Sequence, residues 1–273
     1  MESTSRATPR LKQELATYLL LTFGLSSIFY YILGSAHTLG LGGGRYVLML
    51  MWCPGTSALL TRLIFQKNVR GEGWAWGNSK YELLAYVLPI VYAVVAYGAV
   101  WLAGLGKPDT SLFHTSAPRF VLLGTVISTM SALGEELGWR GFLVPKLAEG
   151  WSFTTTALVS GIIWSSWHVP LIIAADYNGG TGAPYSIACF VVMVIGISFP
   201  LAWIRLRSRS VWPAALLHAS HNLYIQGFFD RVTVDTGHTK YWIGEFGAAL
   251  AITAAITGFI FWKLRGRIET VSS

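Results

Sequence analysis

Two adjacent glutamates are the residues of this chain whose positions most clearly suggest chemistry. Glu135 and Glu136 lie inside an apolar run, where an ionisable side chain is costly and is usually functional. Neighbours on a helix point about 100° apart, so the two carboxylates need not do the same work. Arg140 follows Glu136 by four residues, which places opposite charges on one helix face. A buried salt-bridge cluster of all three is one interpretation. A single arginine leaves Glu135 unmatched, however, and an unmatched carboxylate in a low dielectric can act as a general acid or base.

A histidine in the next apolar run is a second candidate. His168 lies late in that run, and Trp164 precedes it by four residues, on the same helix face. Pro170 is expected to loosen the helix just beyond the histidine. A lone histidine in a membrane span can also serve only as a hydrogen bond between helices, and that interpretation stays open.

A third polar cluster lies two apolar runs later. His218 and Asn222 are four residues apart, share a helix face, and can both donate hydrogen bonds to an oxyanion. His221 lies beside them and is interpreted as a neighbour rather than as a principal residue. Three polar clusters on three separate apolar runs can converge in the interior of one helix bundle. The sequence therefore predicts one site built from all three.

The elements that must position these residues are membrane helices. Hydrophobic residues make up 53% of the 273 residues and charged residues only 12%, whereas soluble domains carry about 25% charged residues. This composition excludes a soluble globular protein, a disordered chain and a coiled coil. We expect an all-α polytopic membrane bundle, because about 20 helical residues cross a hydrocarbon core. Its eight predicted spans are Leu15–Gly34, Tyr46–Phe65, Leu83–Gly104, Phe120–Ala148, Phe153–Ala175, Tyr185–Leu206, Val211–Phe229 and Gly244–Trp262.

The basic residues predict the orientation of this bundle. When the eight spans alternate, fifteen of the twenty Lys and Arg fall on the side of the termini, and five fall on the other side. Cytoplasmic loops are enriched in Lys and Arg, so both termini are predicted to be cytoplasmic. The same distribution accounts for the net charge of +7, and no nucleic-acid partner is expected. The five residues on the other side are Arg45, Lys107, Arg119, Arg231 and Lys240.

The three clusters together resemble the CPBP family of membrane proteins. That family includes the type II CAAX prenyl endopeptidases and the bacterial bacteriocin-processing and self-immunity proteins. Its pattern is Glu-Glu-x-x-x-Arg, then an aromatic residue four positions before His, then His-x-x-x-Asn or a similar residue. The one departure is that Trp164 stands where the prenyl endopeptidases have phenylalanine, which keeps an aromatic ring. The matching segments, in order, are Glu135-Glu136-x-x-x-Arg140, Trp164-x-x-x-His168 and His218-x-x-x-Asn222.

The resemblance implies a glutamic intramembrane endopeptidase that uses no metal or cofactor. Glu135 and His168 would orient and deprotonate a water molecule. His218 and Asn222 would stabilise the tetrahedral oxyanion. The substrate would be a peptide or a prenylated protein, such as a CAAX-type C-terminus or a leader or membrane peptide, and the setting would be the lipid bilayer. The supporting residues would be Glu136, Arg140 and Trp164.

The sequence also predicts an organisation of the chain. A polar, basic N-terminal tail is expected over residues 1–14, with its first dozen residues loosely ordered, and a polar C-terminal tail over 264–273. A transmembrane protease-like domain would occupy residues 15–263, with its motifs at about 130–225. Short tails and a compact length favour a bacterial plasma membrane, and the oligomeric state is left open.

Three other functions remain open at this point. Glu135, His168 and His218 could form a zinc site of a membrane metalloprotease, although the sequence has no His-Glu-x-x-His. Intramembrane Glu and His residues also serve in proton relays and transporters, although no internal repeat is visible. A non-catalytic immunity or scaffold protein could retain the same residues.

Overall fold

The computed structural model describes residues 8–71 and 73–269, and most of them are helical. Two strands of two residues each, β1 (Lys107–Pro108) and β2 (Thr233–Val234), pair in antiparallel orientation. Short 3₁₀ turns lie at Leu41–Gly44, Thr110–Leu112 and Thr239–Tyr241. The helices are α1 (Pro9–Ala36), α2 (Arg45–Gln66), α3 (Ser79–Leu102), α4 (Ala117–Ala148), α5 (Phe153–Ala174), α6 (Ala183–Ser208), α7 (Trp212–His221, continuing as Asn222–Phe229), α8 (Ala248–Lys263) and α9 (Gly266–Glu269).

The all-α polytopic architecture predicted from composition is confirmed. Helices α1 to α6 are each long and apolar enough to cross a membrane. The two remaining predicted spans correspond to α7, which has ten α-helical residues followed by eight π-helical ones, and to α8, which has 16 residues. These two helices are shorter than the usual crossing length, so the number of eight spans stays a prediction.

The first helix begins earlier than the composition suggested. Pro9 occupies the first turn of α1, and the Thr8 side chain accepts a hydrogen bond from the Leu11 amide. Threonine at the cap and proline at the start of a helix are both favourable. The expectation of loose order in the first dozen residues is therefore wrong for residues 9–12, and residues 1–7 lie outside the described part of the chain. Glu14 is buried and pairs with Arg10 and with Lys146 of α4, at 3.2 and 2.7 Å.

Several prolines lie inside helices without ending them. Pro54, Pro89, Pro170 and Pro200 are internal to α2, α3, α5 and α6. Beyond His168, α5 continues past Pro170 to Ala174, so any loosening there does not end the helix. The hydroxyl of Tyr30 on α1 donates to the Trp167 carbonyl at 2.6 Å, just before this proline. A neighbouring helix thus satisfies backbone acceptors close to the proline.

One end of the bundle collects most of the basic side chains, and we call it the basic end. There Arg10 contacts the Phe65 carbonyl, Arg62 contacts the carbonyls of residues 70 and 71, and Arg207 contacts the Arg267 carbonyl. The β1–β2 pair lies at the other end. Arg140 departs from its predicted place in a connection, because it is fully buried within α4. Its charge is paired with Glu136 inside the bundle, so Arg140 does not help to orient the protein in the membrane as a basic loop residue would.

The helix that carries the two glutamates packs tightly against α2. A Cβ atom on Gly134 would lie 2.7 Å from the Trp52 ring and 2.8 Å from the Met51 carbonyl. A Cβ atom on Gly138 would overlap the backbone of Pro54. Small residues four apart let two membrane helices approach closely. Glu135 and Glu136 lie between these glycines, so this contact sets their depth and direction.

Candidate active site

The predicted site residues converge on one internal cavity of about 160 Å³. Glu135 reaches it from α4, Trp164 and His168 from α5, and His218 and Asn222 from α7. The rest of its wall is largely apolar, and includes Leu50, Met193 and Ile197. Concave, mostly apolar cavities with a few convergent polar groups are the usual form of a ligand site.

Glu135 is held by two indole rings rather than by an arginine. Its Oε2 accepts hydrogen bonds from the Nε1 atoms of Trp164, at 2.7 Å, and Trp139, at 3.3 Å. The carboxylate is 2% exposed and belongs to the cavity wall. Neutral donors fix its direction without neutralising it, so its other oxygen remains available for water or substrate.

Glu136 instead forms a buried ion-pair cluster. Its Oε1 lies 2.9 Å from Arg140 and 2.9 Å from Nδ1 of His218. The guanidinium also lies over the Trp164 ring, with 4.1 Å from its central carbon to the ring centroid. Breaking one partner of such a buried pair typically costs about 3–5 kcal/mol. This cluster therefore ties α4, α5 and α7 together behind the cavity.

His168 and His218 each use one ring nitrogen for positioning. Nδ1 of His168 lies 2.9 Å from the Trp164 carbonyl, and Nδ1 of His218 is occupied by Glu136. Neither Nε2 atom has a hydrogen-bond partner among the described residues. A histidine oriented through one nitrogen presents the other for proton transfer or hydrogen bonding. Both rings line the cavity, where that second nitrogen can serve.

The sequence analysis missed a second buried carboxylate, which pairs with His221, a residue interpreted there only as a neighbour. Glu245 lies just before α8, and its Oε1 is 3.2 Å from Nε2 of His221. The Tyr177 hydroxyl donates to the other oxygen at 2.6 Å, and the Tyr92 hydroxyl lies 2.5 Å from Nδ1 of His221. All but Tyr92 line the same cavity. An acid at the edge of an apolar run was the available signal for Glu245, whereas nothing marked Tyr177. Trp139 was also missed, although it follows Glu135 by four residues.

Helical geometry changes at two of the candidate positions. The chain becomes π-helical directly after Glu136, over Leu137–Leu143, and again over Asn222–Phe229. Short π-helical segments widen the turn and often occur at functional sites. The change alters which side chains share a face after Glu136 and after His221. It also leaves Asn222 half-buried on the cavity wall.

The arrangement can support hydrolysis by activated water. It offers a carboxylate and an imidazole beside a cavity, and further donors on a third helix. Among the described residues, no group of three His, Cys, Asp or Glu side chains is arranged to hold a metal ion, the set Glu135, His168 and His218 included.

Comparisons with known proteins agree with this constellation. A model of the Rce1-like type II CAAX prenyl endopeptidases matches residues 117–224, which contain all three motifs. A curated relative, CAAX prenyl protease 2 of Methanococcus maripaludis, is 30% identical over 131 residues. That alignment covers 46% of this chain and 46% of the relative, so the chain spans about half of the relative's length. Over the segment 117–224, this multi-pass membrane protein is therefore similar to the Rce1-like type II CAAX prenyl endopeptidases.

Proposed function

We propose that this protein is an intramembrane endopeptidase that hydrolyses a peptide bond with activated water. The observation that carries the proposal is the convergence of Glu135, His168, His218 and Asn222, from three helices, on one cavity. The similarity of residues 117–224 to the type II CAAX prenyl endopeptidases supports the reaction class. Peptide hydrolysis needs a base for water, a stabiliser for the oxyanion and a proton for the leaving amine.

Each side chain has a role consistent with its contacts. Glu135, oriented by two indoles, and His168, through its free Nε2, would position and deprotonate the water. The same two groups would then return a proton to the leaving amine. His218 and Asn222 would donate hydrogen bonds to the oxyanion. Glu136, together with Arg140, would hold His218 in place.

The substrate we propose is a peptide segment in the membrane setting. The relative's name points to a prenylated CAAX-type C-terminus, and the largely apolar cavity wall would also accept a leader or membrane peptide. We also propose the bacterial plasma membrane as the location of this multi-pass helical bundle.

The test is cleavage of a quenched peptide panel, prenylated and unprenylated, by protein purified in detergent. We expect wild-type protein to cleave at least one peptide and to keep this activity in a strong chelator. Glu135→Gln and His168→Ala should each abolish cleavage while leaving expression and thermal unfolding close to wild type. The matched control is Glu82→Gln, because Glu82 is equally buried but lies outside the cavity.

Two outcomes would contradict the proposal. Full activity of Glu135→Gln would remove the water-activating role. Loss of activity in chelator, restored by zinc, would replace the glutamic mechanism with a metal-dependent one. If no peptide in the panel is cleaved, an immunity or scaffold function gains weight. Such a function should survive Glu135→Gln.

A further inference from the structure

The segment before α8 brings a carboxylate into the site from outside the family match. Glu245 lies beyond residues 117–224, and only 8% of it is exposed. Each of its oxygens has one partner, His221 on α7 and Tyr177 in the turn that follows α5. No lysine or arginine is paired with it among the described residues. A buried carboxylate held by two cavity-lining side chains needs an explanation beyond packing.

Both partners of Glu245 adjoin residues with proposed roles. His221 immediately precedes Asn222, and its other nitrogen is held by the Tyr92 hydroxyl of α3. The Tyr177 ring lies 6.2 Å from the His168 ring, and both rings contact Phe190. Through these contacts, Glu245 links the helix that carries the oxyanion donor to the turn that borders the water-activating histidine.

The backbone beside Glu245 is itself fixed. The Gly244 amide donates to the Tyr97 hydroxyl at 3.0 Å, and that hydroxyl donates to the Asp230 carboxylate. The neighbouring Phe246 ring packs edge-on against Tyr177, with centroids 4.8 Å apart. The carboxylate is thus presented from a rigid segment, as a positioning group must be.

We infer that Glu245 is a positioning residue of the site. Its carboxylate contacts both His221 and Tyr177, an arrangement that we call the clasp, and it thereby sets the distance between Asn222 and His168. This inference rests on the proposed endopeptidase function. The reason for a catalytic effect is geometric, because a misplacement of about 1 Å in reacting groups can cost about 10²-fold in rate.

Kinetics of the cleaved peptide test the role directly. Glu245→Ala should lower kcat by about 10²-fold with KM within about threefold, because the clasp orders reacting groups rather than binding substrate. Glu245→Gln should recover at least tenfold of that loss, since its amide oxygen can still accept from Tyr177. Glu82→Ala and Glu82→Gln are matched controls. Glu82 is 5% exposed, neither of its carboxylate oxygens has a hydrogen-bond partner among the described residues, and no kinetic change is expected.

Thermal unfolding provides a readout that does not need activity. Tyr177→Phe should lower the Tm of the wild type. In the Glu245→Ala background it should produce no further decrease, because the Tyr177 hydroxyl has already lost its acceptor there. Tyr18→Phe serves as the control, since the buried Tyr18 hydroxyl neither donates nor accepts a hydrogen bond in the described structure. Additive decreases in Tm for Tyr177 and Glu245 would overturn the clasp.

The two proposals fail in different ways. If wild-type protein cleaves and folded Glu245→Ala retains kcat within twofold, the positioning role is wrong and the endopeptidase stands. An equal loss in the alanine and glutamine variants, accompanied by a lower Tm in both, would reduce Glu245 to a structural residue. If wild-type protein cleaves no peptide of the panel, an immunity or scaffold function gains weight over the endopeptidase, and the Tm cycle still decides whether the clasp exists.

Discussion

At the scale of single residues, the two adjacent glutamates show how surroundings divide similar side chains between tasks. Glu136 is neutralised by Arg140 and contacts His218, whereas Glu135 receives only indole hydrogen bonds and faces the cavity. The departure of Trp164 from the family's phenylalanine therefore has a consequence. Its Nε1 is the closest donor to Glu135, a contact that a phenylalanine ring cannot make.

Asn222 is the residue whose proposed role makes the clearest quantitative prediction. Asn222→Ala should lower kcat by about 10²–10³-fold, because removal of one oxyanion donor from a preorganised site has an effect of that size. KM should change little, since the interaction strengthens mainly in the transition state. Steady-state kinetics on the cleaved peptide measure both constants.

Asn68→Ala is the control for this change. Asn68 is exposed near the basic end and hydrogen-bonds only to the backbone of its own turn. A loss of less than about tenfold in Asn222→Ala would assign the oxyanion to other donors.

At the scale of elements, the contact between α2 and α4 positions the glutamates. Gly134 and Gly138 present no side chain to α2, so its backbone around Pro54 sits directly against α4. Arg140 lies within the π-helical segment that begins at Leu137, and its guanidinium is 2.9 Å from Glu136. The position of the site therefore depends on residues that carry no chemistry.

A substitution at Gly138 tests this dependence. Gly138→Ala should destabilise the protein by about 1–3 kcal/mol and reduce peptide cleavage, because the added methyl group overlaps the Pro54 backbone. Gly98→Ala in α3 is the matched control, since a Cβ atom there has no neighbour within 4 Å. Its Tm should stay the same or rise, as alanine favours helix over glycine. Equal behaviour of the two variants in thermal unfolding would show that close approach at Gly138 does not matter.

At the scale of the whole molecule, the bundle has two chemically different ends. The basic end gathers arginines and lysines from both terminal helices, whereas Leu39, Tyr177 and Glu245 contribute to the cavity wall toward the opposite end. The side of the membrane that each end faces determines where a substrate approaches. A prenylated cytoplasmic protein and an exported peptide would approach from opposite sides.

Cysteine labelling in intact cells measures this orientation. With Cys53 and Cys189 replaced by alanine, Lys240→Cys should react with an impermeant maleimide, and Lys67→Cys should react only after the membrane is permeabilised. Both lysines are exposed and lie at opposite ends of the bundle. The expectation follows from the excess of basic residues on the cytoplasmic side. Labelling of Lys67→Cys in intact cells would reverse the predicted topology.

The sequence by itself determined the class of fold and the core of the candidate site. Low charge and long apolar runs left only a helical membrane bundle, because lipid offers backbone groups no other partner. Helical spacing was enough to pair Glu136 with Arg140, because residues four apart lie on one face of an α-helix. Because three separate apolar runs each carry a polar cluster, the clusters were expected to converge on one cavity. The roles expected for their residues came from the family resemblance.

Only the tertiary structure decided the contacts between residues distant in sequence. The pairing of Glu136 with His218 spans 82 positions, and that of Tyr177 with Glu245 spans 68. Such contacts depend on how helices cross and on where their period changes, and local spacing encodes neither. The sequence analysis did not identify Glu245 for the same reason. Its importance lies in the partners that folding brings to it, not in its neighbours along the chain.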